Sequence, residues 1–221
     1  MAPGLIALDV NETLLSLEPI RRNLEVIFGD DPPIGEWFAR LLHGSLLANT
    51  LGNHRPFGEI GAAMLINVAG RRGMLISAED ALEALSPMSS LPPHPDVADG
   101  LSRLARAGHR MVALTNGSAD VAEAQIENAG LSELLERVIS VDEVRKFKPD
   151  PAPYLHASAV MGVPIGEMML VAAHDWDCAG AMATGAEAVF VERPSSLWSL
   201  PTPPPALQVP DMAALADALG A

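Results

Sequence analysis

The stretch Leu5-Ile6-Ala7-Leu8-Asp9-Val10-Asn11-Glu12-Thr13-Leu14 decides the fold. Its four leading apolar residues read as a short buried strand of a parallel sheet, and the chain turns polar at Asp9. In open α/β sheets, chemistry collects just beyond the carboxyl ends of the strands. A carboxylate there, with a hydroxyl four residues on, suits a nucleophile and a turn that holds its partners. The same Asp also suits a simple cap for whatever follows. The rest of the chain separates the two readings.

From Ser16 to about Leu91 the pattern is helical. Apolar residues at three-and-four spacing predict helices over Glu18 to Phe28, Gly35 to Leu51, Pro56 to Gly70 and Ala78 to Leu85. Leu91-Pro92-Pro93-His94-Pro95 then reads as a stiff linker. Beyond it, helices alternate with strands at Arg110 to Leu114, Arg137 to Val141, Met168 to Ala172, Ala188 to Val191 and Leu207 to Val209. This alternation predicts an α/β fold, a doubly wound Rossmann-like parallel sheet with right-handed crossovers. The helical block follows the first strand, so it is expected as an all-helical cap over that strand's carboxyl end. Residues 1–15 and 92–221 would form the core domain and 16–91 the cap.

Composition narrows the function. The formal net charge of −14 argues against a nucleic-acid partner, which needs clustered cations. The one cysteine, Cys178, excludes a disulfide framework and a zinc cluster. His43, His54, His94, His109 and His156 do not fall at metal-ligand spacing, so no metal or other cofactor is expected. No apolar stretch reaches membrane-spanning length, and no basic segment precedes the first apolar run. A cytoplasmic location is the expectation. The only lysines are Lys146 and Lys148; an ammonium is a compact charge that fits against a carboxylate where a guanidinium fork does not. Leu41, Leu42, Leu46, Leu47 and Leu51 are apolar enough to permit a homodimer or to form the cap's own core.

Four strand ends carry polar groups: Asp9 with Asn11 and Thr13; Thr115 with Asn116; Lys148 before Pro149; and His174, Asp175 and Asp177. In a parallel sheet these ends share one edge and can converge into a hydrolytic site. Asp9-Val-Asn-Glu-Thr13, Thr115-Asn-Gly-Ser118, Lys148-Pro-Asp-Pro151 and His174-Asp-Trp-Asp177 followed by Gly180-Ala181 resemble the four motifs of the haloacid dehalogenase superfamily. They stand in that family's order, over nearly the whole chain.

Most members of that superfamily are phosphatases. Those carry a second Asp two residues after the nucleophile as general acid, where this chain has Asn11, which cannot give and recover a proton. They also carry a Mg²⁺-holding acid where this chain has Ala172, which has no side-chain oxygen for a hard cation. The subgroup resembled most is the type II (S)-2-haloacid dehalogenases. In these the first Asp displaces halide with inversion, forming an alkyl-aspartyl ester that water hydrolyses to a 2-hydroxy acid. Halide departs as an anion, so both missing groups are dispensable.

The resemblance implies a role for each matching residue. Asp9 would be the nucleophile, kept ionised by Lys148, with Thr13 and Thr115 hydrogen-bonding carboxylate oxygens of Asp9 or substrate. Arg40, in Trp37-Phe38-Ala39-Arg40, and Asn116 would cradle the halide. Tyr154 matches the family's Tyr six residues after the lysine, Asp177 would orient water with Lys148, and Trp176 would wall the pocket. Substrate would be a small anionic haloacid, with water as second reactant and neither nucleic acid nor membrane as partner. Three positions depart from the pattern. Asn11 stands where Tyr is frequent and opens the pocket, Ala172 replaces a Ser, and His174 replaces an Asn. His174 adds a group that titrates near neutral pH and is expected to help activate the ester-hydrolysing water. A defluorinating variant, a Mg²⁺-dependent metabolite phosphatase and a phospho-accepting receiver module are the competing readings; the last lacks a helical insertion of this size.

Overall fold

The computed structural model describes residues 3–194 and 196–221. Six strands form one parallel sheet in the order β3-β2-β1-β4-β5-β6. They are β1 (Leu5–Leu8), β2 (Met111–Thr115), β3 (Arg137–Ser140), β4 (Met168–Ala172), β5 (Glu187–Val191) and β6 (Leu207–Val209). β1 lies in the middle, paired with β2 on one side and β4 on the other. The chain order reverses beside β1, and such a switch point opens a crevice at the strands' carboxyl ends.

β1 is an uninterrupted apolar run because both faces of the sheet are covered. Ile6 and Leu8 belong to one core cluster, with Leu101, Leu104 and Met212. Leu5 and Ala7 belong to the other, with Tyr154, Ala157, Cys178 and Ala181. The covering helices are α5 (Val97–Arg106), α6 (Ala119–Asn128), α7 (Pro151–Met161), α8 (Asp175–Ala183) and α9 (Met212–Ala218). No helix among the described residues is long and apolar enough to cross a membrane.

Between β1 and β2 the chain forms α1 (Glu18–Phe28), α2 (Ile34–Leu51), α3 (Phe57–Arg71) and α4 (Ala78–Ala84). Trp37, Leu41, Phe57, Leu65 and Val68 are buried in this insertion, and Trp37 Nε1 donates to the Gly61 carbonyl. Leu41 is thus interior, whereas Leu46, Leu47 and Leu51 remain exposed. The outgoing and returning connections run side by side. Ser16 N–H donates to the Pro92 carbonyl and His94 N–H to that of Leu14.

Predicted and observed elements agree to within a residue or two, with one exception. α8, where the sequence pattern predicts a helix only over Cys178 to Thr184, begins three residues earlier at Asp175. Asp175-Trp176-Asp177 are already helical, because the His174 carbonyl accepts from Cys178 N–H and closes the first turn. The fourth motif therefore lies on a rigid helix end rather than in a loop.

Candidate active site

Asp9 is the first residue beyond β1, and its backbone N–H donates to the Val171 carbonyl of β4. The polypeptide then turns tightly: Leu14 and Leu15 N–H both reach the Val10 carbonyl, and Glu12 takes a positive φ of 62°. That backbone region is uncommon for a residue with a side chain, and persists where surroundings hold it. Here Glu12 N–H donates to the Leu15 carbonyl, and the Glu12 carbonyl accepts from His94 Nε2. The turn brings Thr13 back over Asp9. Thr13 Oγ1 donates to Asp9 Oδ2 at 2.6 Å and accepts from Ala173 N–H at 2.9 Å.

Lys148 approaches from the loop after β3 and is buried completely along its side chain. Its three ammonium protons have three acceptors. They are Asp9 Oδ1 at 2.8 Å, the Leu114 carbonyl of β2 at 2.8 Å and Asp177 Oδ2 at 2.6 Å. Tyr154 Oη donates to the other oxygen of Asp177 at 2.6 Å. Asn116 joins the loop through Oδ1, which accepts from Lys148 N–H at 2.8 Å. Its Nδ2 is a buried donor without a partner.

These contacts set the charges. Burial pushes the Asp9 carboxyl up, but the Lys148 ammonium and then His174 outweigh it and hold it well below the usual carboxylate range. Burial would lower Lys148, yet the charges of Asp177 and Asp9 raise it above its ordinary value. Burial lifts Asp177, against the opposing charge of Lys148. The ammonium thus holds Asp9 low, while burial keeps Asp177 above its ordinary value. Burial and Asp177 raise the Tyr154 phenol, which stays a donor.

His174 closes the site from above. Its ring is sandwiched between Phe38 of α2, 5.4 Å away between centroids, and Trp176 of α8, 5.1 Å away. Nδ1 lies 3.1 Å from Asp9 Oδ2 and Nε2 lies 3.1 Å from Glu12 Oε2. Burial depresses the ring, but hydrogen bonds to the two carboxylates outweigh it and push His174 up to about 10. It is an imidazolium at neutral pH, with both nitrogens donating. The expected titration near neutrality is thus displaced, and in this state the ring cannot accept a proton from water.

Two residues to which the resemblance gives a role make no bond to Asp9 among the described contacts. Arg40 is not brought to Asp9. Its Nε donates to Glu36, one turn back on α2, and Phe38 faces the site instead. Residues two apart on an α-helix point roughly 200° apart, so Phe38 and Arg40 cannot share a face. Thr115 makes no bond to Asp9 among the described contacts; its Oγ1 accepts from Gly117 N–H and braces the turn after β2. Asn11 is buried, and its Oδ1 accepts from Gln125 Nε2 of α6, which also donates to the Met88 carbonyl between α4 and α5. Asp175 is turned toward Ser199. Among the described residues, no group of three or more His, Cys, Asp or Glu side chains is arranged to hold a metal ion.

Sequence reasoning missed Glu12, Phe38 and Gln125. Gln125 lies 114 residues from Asn11, beyond any local pattern. Phe38 stands beside the quoted Arg40 and is separable from it only by helical phase. Glu12 is flagged only by its place within the first motif.

The model of the haloacid dehalogenase-like hydrolases matches residues 4–185. The chain belongs to that family. The (S)-2-haloacid dehalogenase of Xanthobacter autotrophicus is 31% identical over 157 residues, spanning 71% of this chain and 61% of that protein. The (S)-2-haloacid dehalogenase H-109 of Pseudomonas putida is 25% identical over 217 residues, 96% of each chain. Among solved structures, the L-2-haloacid dehalogenase from Xanthobacter autotrophicus superposes with a TM-score of 0.91 over 99% of this chain and 98% of that one. At 23% identity that likeness shows the fold. Within this haloacid dehalogenase-like fold, the four motifs occupy the carboxyl edge of the sheet beneath the helical insertion.

Proposed function

We propose that this protein is a hydrolase of carbon–halogen bonds in short 2-haloalkanoic acids, with the four-helix insertion, residues 16–91, acting as a cap on a core of residues 1–15 and 92–221. The Asp9 carboxylate attacks the halogen-bearing carbon, and the halide leaves with the bonding pair. Water then attacks the resulting alkyl-aspartyl ester at its carbonyl, releasing the 2-hydroxy acid and restoring Asp9. Lys148 keeps Asp9 ionised, Asp177 and Tyr154 fix Lys148, and Thr13 fixes one carboxylate oxygen. Asn116 Nδ2, the unpartnered donor, is the group free to meet an anion.

One observation carries this reading. A buried, ionised Asp9 stands beside an Asn11 whose amide is tied to Gln125, with no carboxylic acid at that position. An alkoxide leaving a phosphate ester needs a proton from a general acid, whereas halide needs none. The named relatives, both (S)-2-haloacid dehalogenases, support the same substrate class.

The test is halide release from chloro-, bromo- and fluoroacetate and from both enantiomers of 2-chloropropionate. Wild type should release halide from at least one, and Asp9→Asn from none. Hydrolysis of generic phosphate esters with no halide release from any haloacid would replace this reading.

A further inference from the structure

Resting on that proposed chemistry, we propose that His174 is the base that activates the ester-hydrolysing water, becoming available only when alkylation of Asp9 removes the charge that Nδ1 faces, with Glu12 holding the ring from the other side. In the free site His174 bridges two carboxylates, 3.1 Å from each. Esterification turns one of them into a neutral ester and leaves Glu12 as the one carboxylate side chain facing the ring in its buried, aromatic-walled position. Burial then dominates and the ring gives up a proton. Glu12 retains the Nε2 proton, so the one lost is on Nδ1, the nitrogen directed at Asp9. The result is a neutral imidazole oriented by a carboxylate, with its bare nitrogen facing the reacting group, an arrangement suited to general-base catalysis.

The protons balance across the cycle. In the first step Asp9 forms a C–O bond, halide leaves, and the His174 Nδ1 proton passes to solvent. In the second, water adds to the ester carbonyl, giving one proton to Nδ1. Collapse releases the alcohol, which carries the other water proton, and restores the carboxylate beside an imidazolium. The sum is organohalide plus water giving alcohol, halide and one proton, and that proton departs with the halide.

Access favours His174 over the other candidates. Asp177 is fully buried with both oxygens engaged, and all three Lys148 donors are occupied. His174 lines an open cleft of about 280 Å³ together with Glu12, Phe38, Ala173 and Trp176, so water from that cleft meets the imidazole first. The groups facing the ring from each packed element are accounted for. They are Asp9 and Glu12 after β1, Phe38 on α2, and Trp176 on α8. Nearby charges are engaged elsewhere, Asp175 with Ser199, Asp177 with Lys148, and Glu36 with Arg40.

Asp9→Asn mimics the neutral ester without any turnover. Nitrogen NMR of histidine-labelled protein, with the His174 signals assigned by His174→Asn, should show both ring nitrogens protonated at about pH 8 in wild type. In Asp9→Asn the ring should be neutral, protonated on Nε2, with its pKa moved from about 10 to below about 7. A ring that stays protonated in Asp9→Asn overturns the inference. In single turnovers of chloroacetate read by a pH indicator and a halide assay, one proton should appear in the halide phase and none with ester decay. In His174→Asn, ester decay should slow about 10²-fold or more relative to halide release, with Asp9 ester accumulating by mass. Proton release during ester decay in wild type, or unslowed ester decay in the variant, also overturns it. Absence of halide from every haloacid refutes the dehalogenase reading itself, and the NMR comparison still decides whether Asp9 controls the proton on His174.

Discussion

Nζ of Lys148 stands 2.6 Å from Oδ2 of Asp177, with neither side chain exposed to solvent. The Asp9 carboxylate shares the same ammonium, so one lysine neutralises two acids that arrive from β1 and α8. Lys148→Met leaves buried carboxylate charge uncompensated. It should destabilise the fold by about 3–5 kcal/mol in urea unfolding and abolish turnover. Lys148→Arg should also abolish turnover, because a planar fork cannot fill a pocket shaped by three oxygens around one nitrogen.

Gly180 lies one helical turn beyond Asp177. A Cβ there would sit 2.5 Å from Pro149 Cβ, 2.7 Å from Tyr154 Oη and 3.0 Å from Pro149 Cα. Gly180→Ala should therefore push Tyr154 off Asp177, costing about 1–3 kcal/mol from overpacking and reducing kcat more than KM is changed. Adding Tyr154→Phe should recover part of the stability and none of the activity. A Gly180→Ala protein with wild-type melting and kinetics would contradict this packing.

His174 is raised from 6.5 to about 10, so its contribution to stability is complete below pH 6.5 and is lost as pH rises through about 10. Thermal melts across that range should show wild type losing stability toward the alkaline end relative to His174→Asn. A constant difference between the two proteins would mean that the ring is not held as an imidazolium.

Gln125 ties Asn11 to the Met88 carbonyl, and so fixes the turn after β1 to the segment leaving the helical insertion. Gln125→Leu strands the buried Asn11 acceptor and the half-buried Met88 carbonyl and should cost about 1–3 kcal/mol. Hydrogen exchange at Met88 to Leu91 should quicken before exchange in β1 does. Equal acceleration in both would argue for global unfolding instead.

Much of this was legible in the residues. Buried parallel strands leave unbroken apolar runs, so β1, β2 and β4 were visible, and the polar residue ending each run located the site. Lys148 stood out as one of two lysines, before Pro149, and Tyr154 followed only from the family resemblance. What stayed hidden depended on side-chain direction. The sequence of α2 does not announce that Phe38 rather than Arg40 faces His174; that depends on how the helix is rotated against the sheet. The His174 charge was misjudged because its second carboxylate, Glu12, is aimed by a turn with positive φ that no periodicity encodes. Gln125 finds Asn11 only through the tertiary fold.

In the proposed reaction Asp9 becomes covalently attached to substrate. The direct measurement is a single turnover with enzyme in excess over chloroacetate, in water labelled with heavy oxygen, followed by mass analysis of product and of the peptide containing Asp9. Label should enter the Asp9 carboxylate and the product hydroxyl should stay unlabelled, because the product's oxygen comes from Asp9. Label in the product with none in Asp9 would show that water attacks the substrate directly, and the covalent account would be wrong.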